Sequence, residues 1–264
     1  MPAIPIHATD KQATTAMMPF PFVDRLPALL LAAACAVASA SAQASCKVSP
    51  TLWDFKGQIG ARYNIGMSLA FGESAIDGDY FYASQRKNIG LRGSLHGGAG
   101  IKLTEFDARG EASADFELTA SNDCSVLDGV WRKRGAAESL PVHLAMTGGG
   151  GGSLAHRYSK AGADDDAIVH QGAVRFWAGV RDANKQAVAA QIRYPVKASI
   201  RGVKRQVKNR AELLANYDAI FTRAYRDSIV EAVPHNMFSN WQGIMLGQGA
   251  VWFNADGKVI ALNN

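Results

Sequence analysis

Between Phe55 and Met146 the chain alternates apolar and polar residues in short runs, and this period of two constrains the fold more than any other feature. Ile65, Met67, Leu69 and Phe71 share one face of a run. So do Ile89, Leu91 and Leu95; Ile101 and Leu103; Ala114, Phe116 and Leu118; and Leu140, Val142 and Leu144. Such alternation puts every second side chain on one side of an extended strand, as in a half-buried sheet. Turn pairs separate the runs at Asp77-Gly78, Gly97-Gly98, Arg109-Gly110, Asp128-Gly129 and Arg134-Gly135. About seven or eight short antiparallel strands are expected. Closing them into a small barrel would remove the exposed edges.

Past this region the period changes. Gly148 to Gly152 followed by Ser153 is expected to be a flexible linker, which Asp164-Asp165-Asp166 extends, so that residues 148–167 separate two domains. Val169, Ala173, Phe176 and Val180 then recur at helical spacing, and Ala187, Val188 and Ile192 continue the stripe. Asp182 or Asn184 is placed to cap a second helix. Tyr194-Pro195 imposes extended backbone, and Arg201-Gly202 turns a hairpin. Asn209 and Glu212 have the form of a capping box before a helical stripe of Leu213, Tyr217, Ile220 and Phe221. A helix over residues 223–232 and two strands joined at Ala255-Asp256-Gly257 complete the pattern. Helices on one face of a curved sheet make this part α+β.

Three phrases in the second part carry a resemblance: Tyr194-Pro195-Val196, Tyr217-Asp218-Ala219-Ile220-Phe221, and Trp241 to Phe253. In that order they resemble the NTF2-like (SnoaL-like) superfamily as found in exported bacterial proteins. The resemblance implies an α+β cone over residues 168–264. No residue-level motif of the superfamily's enzymes matches, so none of their catalytic residues is carried over. The phrases at Ile76–Tyr82, Ile89–Gly93, Leu103–Asp107 and Leu127–Trp131 resemble a small secreted β-barrel-like domain, here residues 45–147, and imply a fold without an activity.

The first residues point to export. Leu26 to Ala40 is an apolar run behind Arg25, and Ala42-Gln43-Ala44 offers a small-x-small cleavage site, so residues 1–44 are expected to be a signal peptide. Met17 or Met18 is an alternative start. Cleavage would leave Cys46 and Cys124, an even count in an oxidising compartment. A disulfide between them would contribute about 3–5 kcal/mol by closing a long loop. The protein is therefore expected in the periplasm or outside the cell, and not as an integral membrane protein once processed. With 48% apolar and 19% charged residues the chain has a globular balance, not a disordered one.

Candidate sites follow from residue type. Tyr217, Asp218 and His235 are the only group suited to acid–base work, and each has a simpler structural reading. Phe176, Trp177, Trp241 and Trp252 could wall an apolar ligand pocket, or fill a core. Lys197, Arg201, Lys204, Arg205 and Lys208 belong to a basic hairpin suited to anions. Tyr80, Tyr82 and Trp131 read as packing in preference to a groove. Glu105 and Asp107 share a strand face that reads as solvated. No metal-ligand spacing, Gly-x-Ser-x-Gly elbow or phosphate loop occurs. The expectation is a binding protein without cofactor, taking an anionic envelope component or a small apolar ligand, with no nucleic-acid partner. The alternatives are a small-molecule hydrolase or isomerase in an NTF2-like pocket, and a protein-inhibitor or interaction module.

Overall fold

A computed structural model describes residues 52–150 and 153–264. The expected signal peptide and Cys46, the expected partner of Cys124, lie outside the described residues. Eight antiparallel strands form a closed barrel in sequential order. They are β1 (Leu52–Ile59), β2 (Tyr63–Phe71), β3 (Ala75–Tyr82), β4 (Ile89–His96), β5 (Gly100–Phe106), β6 (Ala112–Ala120), β7 (Val126–Lys133) and β8 (Leu140–Gly150). The alternation has its expected consequence. Met67, Leu69, Leu91, Leu103, Phe116, Leu118, Val142 and Leu144 are buried together inside the barrel. Side chains therefore fill the interior, as expected for a barrel of this strand number.

Two expected turns are strand instead. Asp77-Gly78 lies within β3 and Asp128-Gly129 within β7. The physical reason is close approach between strands. A Cβ on Gly129 would collide with the Glu117 carbonyl oxygen, and one on Gly57 or Gly93 with the carbonyls of His143 or Lys102. These glycines let bent strands approach where the barrel closes. The glycine run also departs from expectation. Gly148, Gly149 and Gly150 pair with Asp54, Trp53 and Leu52, so the supposed linker begins as the last barrel strand.

Beyond the barrel, a short 3-10 turn (Ser159–Ala161) leads to α1 (Asp166–Arg181) and α2 (Lys185–Ala190). Then come β9 (Ile192–Ile200), β10 (Val203–Val207), α3 (Arg210–Ala215), α4 (Tyr217–Ile220) and α5 (Arg223–Glu231). The last strands are β11 (Phe238–Asn240), β12 (Gly243–Leu246), β13 (Val251–Phe253) and β14 (Val259–Leu262). Caps start the helices where the side chains demand. Asp165, Asn184, Asn209 and Thr222 each accept a backbone N–H of the first turn. Glu212 reaches back to the N–H of Lys208 and not to that of Asn209.

The second sheet has six strands in the order β10-β9-β14-β13-β12-β11. It is mixed, because β14 runs parallel to β9 while the other pairs are antiparallel. Two strands, β11 and β12, were not expected. Val196, Ala198, Ile244, Val251, Phe253 and Val259 pack with Val169, Phe176, Leu213, Ile220 and Ile229 of the helices in one core. The molecule is thus mostly β: a closed barrel followed by a mixed sheet with a few helices. Among the described residues no helix is long and apolar enough to cross a membrane.

Candidate functional site

The β9–β10 hairpin carries the basic segment, and its register sorts the cations. Gln206 pairs with Lys197 and Lys204 with Ser199, so these four share a face away from the helices. Arg205 pairs with Ala198 and belongs to the opposite row. Asn264 extends β14 alongside β9, its amide accepting from Ser199 N (2.7 Å) and donating to the carbonyls of Ser199 (2.6 Å) and Ile220 (2.9 Å). A groove of about 700 Å³ results, lined by Lys197, Ser199, Lys204, Arg205, Asn263 and Asn264 among others. Among the described residues none of its three cations is in a salt bridge. Arg201 and Lys208, also expected in the basic patch, do not line this groove. Arg201 occupies the hairpin turn at φ 52°, and Lys208 follows β10 into the α3 cap.

The expected aromatic pocket does not converge. Phe176 is fully buried against Phe221 and Phe253. Trp177 donates from its indole to the Val230 carbonyl (3.1 Å), with the guanidinium groups of Arg86 and Arg181 over its ring. Trp241 sits on the β11–β12 turn with 82% of its surface exposed. Trp252 is on the open face of β13, opposite Met245. The acid–base trio is divided in the same way. Tyr217 stacks on Phe221 in the core, and its hydroxyl is buried without a hydrogen-bond partner. Asp218 is 79% exposed and pairs with Lys185 at 2.8 Å. His235 belongs to a different cluster altogether.

That cluster joins the barrel to the second sheet. Asp54, Ser68 and Asp79 are cross-strand neighbours on the outer wall of β1, β2 and β3. Over them lies Arg157, only 5% exposed. Its Nη1 donates to both carboxylate oxygens of Asp54 (2.9 and 3.0 Å), and its Nη2 donates to Ser68 Oγ. Asp166, in the first turn of α1, accepts from the backbone N–H groups of Arg157 (2.7 Å) and Tyr158 (3.0 Å) and so holds the loop in place.

Asp79 accepts from the amides of Asn236 (2.8 Å) and Asn88 (3.1 Å), and His235 Nε2 lies 2.7 Å from Asn88 Oδ1. The rings of His170 and His235 stack at 4.6 Å. The Asn236 N–H can only donate, so His170 Nε2 is an acceptor, and the Tyr158 hydroxyl donates to it as well. Burial pushes the Asp79 carboxyl up to about 6, opposed by the Arg157 charge and the Asn236 hydrogen bond. Burial, with His170 and Arg157 nearby, pulls His235 down to about 3. Burial also lowers His170. Both imidazoles are therefore neutral at pH 7. Apart from His235, this cluster has no signal in the sequence, because its members are remote in the chain and belong to no motif.

A third polar group closes one end of the barrel. Glu105 faces inward, accepting from Tyr80 (2.6 Å) and Trp131 (3.1 Å) on one oxygen and from Ser113 (2.7 Å) on the other. It is therefore an internal tie, and not part of the solvated face that the sequence led one to expect. Asp107 separates from it past a bulge and caps the turn at Arg109 and Glu111. Burial, and the bond to Glu105, raise the Tyr80 hydroxyl well above the usual range. The reading of Tyr80, Tyr82 and Trp131 as packing agrees with the edge-to-face contacts of Tyr80 with Tyr82 and Phe116.

Among the described residues no cluster of His, Cys, Asp and Glu has the makings of a metal site. No family model, curated protein or solved structure matches the chain. Any function must therefore be argued from its own geometry.

Proposed function

We propose that this is an exported, periplasmic binding protein that holds an anionic ligand in the β9–β10 groove. The observation that carries the reading is the set of Lys197, Lys204 and Arg205 around one groove with no carboxylate partner among the described residues. Cations left unpaired beside a concavity create a positive potential that attracts anions. Export rests on the apolar run and cleavage pattern of the first 44 residues. Helices on one face of a mixed sheet support the NTF2-like kinship of the second part, with ligand held outside the packed core. Charge reversal at Lys204 and Arg205 tests the site. Calorimetric titration of butyl phosphate should give measurable binding that weakens with added salt, and K204E/R205E should reduce it at least tenfold. Equal binding by the variant would remove the groove from consideration.

A further inference from the structure

The open face of the second sheet has a composition that the groove alone does not explain. Strand registers align Phe238 with Met245, Met245 with Trp252, Trp252 with Ala261, Ala261 with Lys197, and Lys197 with Gln206. One row thus crosses all six strands, apolar over β11, β12, β13 and β14 and polar over β9 and β10. Phe238, Met245, Trp252 and Ala261 are each half-buried, so none is withdrawn into the core. Core-side neighbours in the same strands, Ile244, Phe253 and Val259, are fully covered. The helices therefore take one face, and the other is open over β12, β13 and β14, while at β11 Phe238 lies against Gly148 of β8. Strands lie about 4.8 Å apart, so Lys197 to Met245 spans roughly 14 Å. Gly249 lies beside the Met245 sulfur and the Trp252 indole nitrogen and adds no side chain to cover them.

We propose that this face binds an amphiphilic anion, a single-chain alkyl phosphate or carboxylate, with its head in the groove beside Lys197 and Lys204 and its chain across Ala261, Trp252 and Met245. The inference rests on the groove reading and adds the ligand class to it. Charge complementarity selects the occupant: cations stand at one end of the row only, so a polyanion would leave the apolar half uncovered. A neutral hydrocarbon would leave the cations unused. Met245 adapts to irregular apolar shapes, and Trp252 offers a large amphipathic surface. Complete burial of a methylene is worth about fourfold in affinity. A chain lying on a half-open sheet should gain about twofold per methylene.

The test uses the full chain and butyl, octyl and dodecyl phosphate below their micelle thresholds, followed by calorimetry and tryptophan fluorescence. Affinity should rise about tenfold or more from octyl to dodecyl. W252S and A261E should flatten this chain-length dependence while butyl phosphate binding persists in W252S. Equal affinity for all three phosphates would overturn the amphiphile and leave the anion groove standing. Chain-length dependence that survives in both variants would place the chain elsewhere and also overturn it. Absence of binding by every phosphate would sink both readings. A mass that doubles with concentration in the wild type but not in W252S, without chain-length dependence, would assign the face to a second copy of this chain instead.

Discussion

Replacing Arg157 with methionine should be the most damaging single change at the joint between barrel and second sheet. Its guanidinium is 5% exposed and meets both oxygens of Asp54, whose side chain is 13% exposed. It also donates to Ser68 Oγ and, at 3.4 Å, to the Asn236 carbonyl. Methionine keeps much of the volume but leaves a buried carboxylate without its counter-charge, with only the Ser68 hydroxyl still donating to it (2.7 Å), and breaking such a pair costs about 3–5 kcal/mol. For a chain of this size each kcal/mol lowers Tm by about 2–4 °C, so a drop of roughly 6–20 °C is expected. Urea unfolding followed by circular dichroism and by tryptophan fluorescence measures the loss. It should also show whether the two probes separate as the joint weakens. The decisive control is R157M/D54N, which removes the orphaned charge and should recover about 2 kcal/mol or more of the loss. If R157M costs less than about 1 kcal/mol, in the range of an exposed ion pair, the reasoning fails. It fails equally if the double variant is no better than the single.

Two further outcomes follow from the same physics. Folded Asp79 titrates at about 6 against an ordinary 3.8, so its contribution is full below the lower value and lost as pH rises through the upper. Folded His235 titrates at about 3 against an ordinary 6.5, so its contribution is full above the upper value and lost as pH falls toward the lower. Between about pH 4 and 6 the two slopes oppose, each about 1.4 kcal/mol per pH unit. D79N should therefore become less stable than wild type on going from pH 6 to 4, and H235N less stable on going from 4 to 6; urea midpoints with wild-type slopes in both variants would contradict these assignments. In the barrel, G129A should cost about 2 kcal/mol or more, since its Cβ must displace the Glu117 backbone. A G110A control at an open turn, where φ is 78° but nothing lies within 4 Å, should cost about 1 kcal/mol; comparable thermal shifts for the two would refute the close-approach argument.

The residues themselves determined the local structure. Alternation from Phe55 to Met146 specifies strands because a pleated strand has a side-chain period of two, and closure follows from the cost of bare edges. Asn184 and Asn209 start helices because a short side-chain acceptor satisfies an otherwise free N–H. The basic hairpin was equally legible, since Gly202 takes the positive φ that the turn between β9 and β10 requires.

What only tertiary structure decided is which distant residues meet. Registers across β1, β2 and β3 bring Asp54, Ser68 and Asp79 under Arg157, and no periodicity encodes a register between strands. Pairing with Leu52 to Asp54 turned Gly148 to Gly150 from linker into strand. The parallel pairing of β14 with β9 carried Trp252 to within two strands of Lys197 and set apolar and basic halves on one face. Local physics acts over a few residues, whereas a site is assembled by contacts between strands far apart in the chain. The elements could therefore be read in advance, while the candidate site required the fold.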